Sequence, residues 1–304
     1  ISRSKDHASV NPYLRTQGLE SLLMLVDRSA ADIASARQRH TGFPVLAEKS
    51  ANQIIGRSDL SDIVIVYFVW LFKKKIRLKD SGFFQGFIDW HCHLLPGVDD
   101  GVQTMEESLQ ILSFYEQLGV SEVWLTPHIM EDIPNTTEGL KERFAKLNAA
   151  YQGNITLLLA AENMLDNLFE ERLAKNDLLP LGKDGKHLLV ETSYFNPPMG
   201  LNNILLRIKS KGYVPILAHP ERYVYMDEDD YKHLKSIGVR LQANLPSLLN
   251  TYGTDARRKV EWMIREHLID MWGTDTHHFH AISQLVMEKQ LKQSIAITLK
   301  SNRK

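Results

Sequence analysis

GFIDWHCHLLPGVDDG, residues 86–101, is denser in metal-ligand chemistry than the rest of this 304-residue chain. Read as a strand from Phe87 to His93, it places Asp89, His91 and His93 on one face and Trp90 and Cys92 on the other. Two imidazoles side by side at a strand end make half of a metal site. Leu94–Gly97 reads as a turn, and Asp99-Asp100-Gly101 puts two carboxylates on the loop beyond it. A lone histidine is most often a satisfied structural residue. His-x-His followed by Asp-Asp at a strand end favours metal binding instead.

Working outward, the pattern repeats. A helix is expected over Met105–Leu118, opened by Thr104 with Glu107 three residues on, the spacing of a capping box. Strand-like runs then end at successive candidate ligands. Glu122–Thr126 runs into His128, Ile155–Ala161 into Glu162, His187–Val190 into Glu191, and Val214–Ala218 into His219. Val239–Ala243 runs into Asn244, and Ile269–Gly273 into Asp275 and His277. Helical runs separate them, and a last helix is expected from Ala281 to about Leu299. Strands alternating with helices predict a parallel sheet covered by helices, and seven such units predict a closed barrel. In barrels of this kind the chemistry gathers at the C-terminal strand ends. Structural histidines have no reason to prefer those ends, yet five of the twelve lie there.

The totals bound the rest. The chain is 43% hydrophobic and 24% charged, with a formal net charge of −1, so no global charge points to nucleic acid. Cys92 is the single cysteine, which excludes an internal disulfide and fits a reducing compartment. No secretory signal opens the sequence. Its longest apolar run, Ile63–Phe72, is shorter than the ~20 residues of a spanning helix. Lys73, Lys74, Lys75, Arg77 and Lys79 follow that run, and we read them as a solvated linker. Peripheral contact with an anionic surface is the most that they would support. Residues 1–68 differ from the remainder. With a short amphipathic helix expected around Glu20–Arg37, they read as a poorly structured or non-native leader, a regulatory helical arm being the alternative, and residues 69–304 as the functional domain.

Five imidazoles and several carboxylates exceed what one ion needs, and carboxylates can bridge two. Mixed nitrogen and oxygen donors suit manganese, iron or zinc better than calcium. Two neighbouring ions suit phosphoryl displacement. Arg222, three residues after His219, has the fork geometry for phosphate; the alternative is a salt bridge to Glu221 or Asp227. No serine elbow, phosphate-binding glycine loop or dinucleotide fingerprint occurs. Cys92, between two candidate ligands and facing away from them, reads as core filler.

Asp89-Trp90-His91-Cys92-His93, Thr126-Pro127-His128, Ala161-Glu162-Asn163, Glu191-Thr192-Ser193, Ala218-His219-Pro220-Glu221-Arg222-Tyr223 and Gly273-Thr274-Asp275-Thr276-His277 together resemble the polymerase-and-histidinol-phosphatase (PHP) superfamily. Within it the chain is similar to the bacterial capsular-polysaccharide tyrosine-protein phosphatases. The likeness runs from about Trp70 to the end. It implies a distorted seven-stranded (β/α)7 barrel with three divalent ions, manganese foremost and iron, zinc, cobalt or magnesium as options. One ion would take His91, His93, Glu162 and Asp275. A second would take Glu162 as bridge with Glu191 and His219, and a third Asp100, His128 and His277. Arg222 would hold the phosphate, so Arg222, Glu162 and His219 are the expected catalytic residues. The implied reaction is hydrolysis of phosphotyrosine on a cytoplasmic bacterial tyrosine autokinase of polysaccharide export. A histidinol-phosphatase-like phosphomonoesterase and a polymerase-associated nuclease module are the rivals on the same scaffold. A non-catalytic interaction protein with a structural metal is the rival outside it.

Overall fold

The structure is a computed structural model and describes residues 74–301. The leader, its expected helix and the apolar run Ile63–Phe72 lie outside the described residues.

Strands β1 (Lys75–Arg77), β2 (Ile88–Cys92), β3 (Glu122–Leu125), β4 (His128–Ile129), β5 (Thr156–Leu159) and β6 (Glu162–Met164) occupy the first half. β7 (His187–Glu191), β8 (Val214–Ala218), β9 (Arg240–Asn244), β10 (Met271–Gly273) and β11 (Gln290–Lys292) complete the set. Between them run helices α1 (Met105–Leu118), α2 (Thr137–Ala150), α3 (Asn167–Lys175), α4 (Leu201–Ser210) and α5 (Glu228–Ser236). Helices α6 (Leu245–Leu248), α7 (Gly253–Arg265), α8 (Phe279–Glu288) and α9 (Gln293–Ser301) follow. The pairing is parallel throughout the central strands, in a three-stranded sheet β2-β3-β5 and a six-stranded sheet β10-β9-β8-β7-β6-β4.

The two sheets form a curled parallel layer. At one seam the Asp275 N–H donates to His91 O at 2.8 Å and the His93 N–H to Thr276 O at 2.9 Å. At the other, β3 and β5 each break and resume as β4 and β6. Pro127 sits in the first break, where it has no N–H to give, and Ala160-Ala161 in the second. The expected seven strands therefore appear as nine shorter central pieces.

Alternation along the strands sorts the apolar residues into layers. Leu189, Ile216, Ala218, Met271 and Trp124 point inward and fill the space enclosed by the sheets. Leu188, Val190, Leu217 and Leu241 point outward and pack under α3, α4, α5 and α7 with Phe169, Leu205, Ile208 and Met263. Cys92, Val123 and Leu125 pack outward with Ile111, Leu112 and Tyr115 of α1. The Cys92 thiol donates to Trp124 O at 3.4 Å.

Three local expectations change. Asp89↔Val123 and Cys92↔Leu125 pair in register, so Trp90 and His91 together face Trp124. This bulge reverses the side-chain parity within β2. Asp89 consequently does not share a face with His91 and His93; its carboxylate accepts from the Thr274 N–H at 2.8 Å and hydroxyl at 2.6 Å. Trp90 turns inward and stacks on Trp124, ring centres 5.9 Å apart. Second, the capping box at α1 is half formed. Thr104 accepts from the Glu107 N–H, but the Glu107 carboxylate caps α8 by accepting from the Phe279 N–H at 2.9 Å. Third, the final helix is interrupted. β11 pairs antiparallel with β1, Ile76 opposite Leu291, and buries Leu291. Lys75–Arg77 is thus a strand leading into the buried Leu78, where a solvated linker was expected.

Candidate metal centre

Every expected metal ligand lies at the C-terminal mouth of the curled sheet. His91 ends β2 and His93 follows it; Asp100 is on the loop beyond. His128 begins β4, Glu162 begins β6, Glu191 ends β7, His219 follows β8, and Asp275 and His277 follow β10. Two of these positions are conformationally demanding. His219 (φ 34°) and Asp275 (φ 51°) occupy the left-handed region that side chains with a Cβ disfavour, a kind of strain that accumulates at functional sites.

The donor atoms form four groups, His93/Asp100/His128/His277, His91/His93/Asp275, His91/Glu162/His219 and His128/Glu162/Glu191, within each of which all lie within 4.8 Å of one another. The closest set has His91 Nε2 and His93 Nε2 3.1 Å apart. Glu162 Oε2 is 3.0 and 3.3 Å from them, and Asp275 Oδ1 3.7 and 3.4 Å. Ligands at 2.0–2.2 Å from a tetrahedral ion are about 3.3–3.6 Å apart, a range that these spacings of 3.0–3.7 Å bracket. Glu162 spans two groups: Oε1 is 3.0 Å from His219 Nε2, and Oε2 is also 3.2 Å from His128 Nδ1. Asp100 Oδ1 lies 3.5 Å from both His128 Nε2 and His277 Nε2.

The grouping differs from the implied one, and His93 also joins Asp100, His128 and His277. Glu191 approaches His128, Oε1 to Nδ1 at 2.9 Å, and is 3.9 Å from His219. His219 instead joins His91 and Glu162.

The supporting contacts set the imidazole tautomers. His91 Nδ1 donates to Gln242 Oε1 at 2.9 Å, His93 Nδ1 to Asp99 Oδ2 at 2.9 Å, and His277 Nδ1 to Asp275 O at 2.9 Å. Each bond leaves the Nε2 lone pair facing the centre, the arrangement found behind metal-bound histidines. His128 Nδ1, Glu191 Oε1 and His219 Nδ1 are buried without a hydrogen bond. His128 Nδ1 and Glu191 Oε1 face each other yet lack hydrogen-bond geometry, as two donors to one cation would. The residues therefore fit divalent ions.

Two glycines make room. A Cβ on Gly101 would lie 2.3 Å from His93 O, and one on Gly273 2.5 Å from His91 Cβ. Neither position has space for a side chain.

The charges balance by mutual support. Burial opposes charge on His91, but Glu162 and Asp275 outweigh it and hold its pKa up at about 9. His93 is likewise held well above its ordinary value despite burial, by Asp275, Asp99 and Glu162. Burial opposes ionisation of Glu162 too, yet His91 and His128 hold it well below the usual range. Asp100, whose Oδ1 lies 3.5 Å from His277 Nε2, is lowered chiefly by His277, to about 2. Without cations the cluster is a charged network that takes up protons; cations at the same place would replace them.

Arg222 lies at the rim. Nη1 donates to Asp275 Oδ2 at 2.8 Å, and neither Glu221 nor Asp227 pairs with it. Glu221 accepts from the Asn244 N–H and the Ser247 hydroxyl, and Asp227 caps α5. Asn244 also donates to Asp275 Oδ2 at 2.7 Å. Asp99, Gln242 and Asn244 are supporting residues that the sequence reading did not assign. The available signal was in β9, where two polar residues alternate at Gln242 and Asn244 inside a buried strand.

The sequence profile of the family described as capsular polysaccharide synthesis, CpsB/CapC, matches residues 87–292. Tyrosine-protein phosphatase YwqE of Bacillus subtilis (strain 168) is 28% identical over 227 residues, covering 71% of this chain and 89% of that protein. Tyrosine-protein phosphatase CpsB of Streptococcus pneumoniae is 26% identical over 208 residues, covering 63% of this chain and 83% of that protein. A solved structure, from work describing YwqE of Bacillus subtilis and CpsB of Streptococcus pneumoniae as unique metal-dependent tyrosine phosphatases, superposes with a TM-score of 0.60. That match has 25% identity and covers 71% of this chain and 87% of the solved one.

Proposed function

The chain belongs to the CpsB/CapC family of capsular polysaccharide synthesis, and from that premise we propose that it is a metal-dependent protein-tyrosine phosphatase. The observation that carries this reading is the convergence of five imidazoles and four carboxylates from separate strand ends, with Glu162 at their centre, its Oε2 near His91, His93 and His128 and its Oε1 near His219. We read the two sheets as one distorted seven-stranded (β/α)7 barrel of the PHP type, with β3–β4 and β5–β6 each counted as a single bent strand. Residues 69–304 form the phosphatase domain.

His91, His93, Asp100, His128, Glu162, Glu191, His219, Asp275 and His277 would hold three divalent ions, with manganese the foremost choice. When bound, such ions lower the pKa of a bound water and offset the charge of a phosphoryl group. The chain's own residues orient the reaction. Gln242, Asp99 and the Asp275 carbonyl keep three imidazole lone pairs aimed inward. Asp275 divides its carboxylate, Oδ1 toward His91 and His93 and Oδ2 toward Arg222. Arg222 forks onto the phosphoryl oxygens with its remaining N–H groups. A tyrosine leaving group has a pKa of about 10, so it departs with little help from an acid. That suits a mouth rich in ligands and poor in protonated carboxyl groups.

The natural substrate on this reading is a phosphotyrosine protein, a bacterial tyrosine autokinase of polysaccharide export, met in the cytoplasm. No described helix is long and apolar enough to cross a membrane. The test is side-by-side turnover of a phosphotyrosine peptide, histidinol phosphate and a phosphodiester by manganese-loaded protein. Dominant phosphotyrosine turnover is expected. Dominant histidinol phosphate turnover would move the chain to the rival phosphomonoesterase class.

A further inference from the structure

Arg222 is held on three sides. Its guanidinium carbon lies 4.4 Å from the ring centre of Tyr194 and 4.1 Å from that of Tyr252. Its Nη1 is tied to Asp275. Tyr194 comes from the loop after β7 and Tyr252 from the loop before α7, so two remote segments supply the rings. We propose that Tyr194 and Tyr252 are positioning residues that hold the Arg222 guanidinium between them and present its open edge to the phosphoryl group. This rests on the phosphatase reading above.

The argument is one of donors and charge. A single bond to one carboxylate oxygen leaves a guanidinium free to swing about that contact. Ring faces on either side fix its plane, because the ring quadrupole attracts the cation. A second carboxylate would also fix it, but would consume N–H donors and cancel the charge that a phosphate needs. Aromatic faces take neither. Among the described residues Asp275 is the one hydrogen-bond partner of the Arg222 side chain, which remains 18% exposed. Nε and Nη2 are thus left for a ligand, and planar forks of this kind match phosphate oxygens. The rings are anchored to the centre itself. Tyr194 packs on His219, ring centres 5.7 Å apart, and its carbonyl accepts from the Val224 N–H at 2.9 Å. The Tyr252 hydroxyl lies 3.5 Å from Asp275 Oδ2. The rings, Arg222 and Asp275 therefore form one connected corner of the mouth.

The experiment uses full-length, manganese-loaded protein and inorganic phosphate as the calorimetric probe, alongside kcat and KM for a phosphotyrosine peptide. Tyr194→Leu and Tyr252→Leu should each weaken phosphate binding about tenfold and raise KM, while Tyr194→Phe and Tyr252→Phe stay within about twofold. In an Arg222→Ala background the leucine substitutions should add nothing, because their effect runs through the arginine. Leucine variants that bind phosphate like wild type would overturn the proposal. So would an equal loss with Arg222 already removed, and so would wild-type protein that binds no phosphate. A wild type that binds phosphate but does not hydrolyse the peptide would overturn the phosphatase reading, while the phosphate constants still decide the role of the rings.

Discussion

Replacing Asp99 with asparagine isolates the support behind one ligand without touching the ligand. Asp99 accepts three hydrogen bonds. Oδ2 takes His93 Nδ1–H at 2.9 Å and the His128 N–H at 3.0 Å, and Oδ1 takes the Gly101 N–H at 3.0 Å. An amide has one accepting oxygen. The substituted side chain must therefore turn its NH2 either to Gly101 or to His93 and His128, and in both orientations a donor meets a donor. Keeping the His93 bond exchanges a charge-assisted bond for a neutral one, a loss of about 1–1.5 kcal/mol, and the Gly101 N–H left facing the NH2 raises the total to about 1.5–3 kcal/mol. At about 1.4 kcal/mol per factor of ten, that is roughly 10–100-fold in metal affinity, the range typical for the partner behind a metal-bound histidine. Calorimetric titration of manganese into chelator-treated Asp99→Asn, with circular dichroism to confirm folding, reads the effect. Wild-type affinity in the folded variant would refute the claim that Asp99 aims His93 at a cation.

The other expectations can be checked on the same material. Glu162→Ala or His219→Ala should abolish phosphatase activity while the protein still folds, and wild-type rates in either would remove that residue from the centre. Gly273→Ala, whose Cβ would lie 2.5 Å from His91 Cβ and 2.7 Å from Gln242 Nε2, should destabilise by about 1–3 kcal/mol and cut activity; an unchanged denaturation midpoint and rate would contradict this. In metal-free protein the His91 pKa is raised from 6.5 to about 9, so its stabilisation is complete below pH 6.5 and is lost as pH rises to about 9. Glu162, held below its ordinary 4.5, contributes above that value and is lost as pH falls below it. Melting temperatures of chelated protein should decline at both ends, and manganese affinity should rise from pH 6.5 to 9 as protons leave the imidazoles.

The sequence disclosed the repeating units and the ligands because both leave local marks. Buried strands are apolar runs, and Glu162, His219 and Asp275 stand just where such runs stop. What it hid depends on pairing across the chain. The bulge that turns Trp90 inward beside His91 is visible only against Trp124 in the neighbouring strand. Asp99 and Asp100 are chemically the same in sequence, yet burial makes one a support and exposure leaves the other free for His128 and His277. Glu191 and His219 both reach toward Glu162, and only coordinates separate their neighbours. The final helix breaks because β1, far upstream, offers an edge to Leu291.

Anomalous diffraction at the manganese edge, from crystals of metal-loaded and active protein, addresses the central claim most directly. Peaks should fall among His91, His93, Glu162 and Asp275, among Asp100, His128 and His277, and beside the Glu162 oxygen that faces His219. An active crystal whose metal peaks lie elsewhere, or that has none, would contradict it.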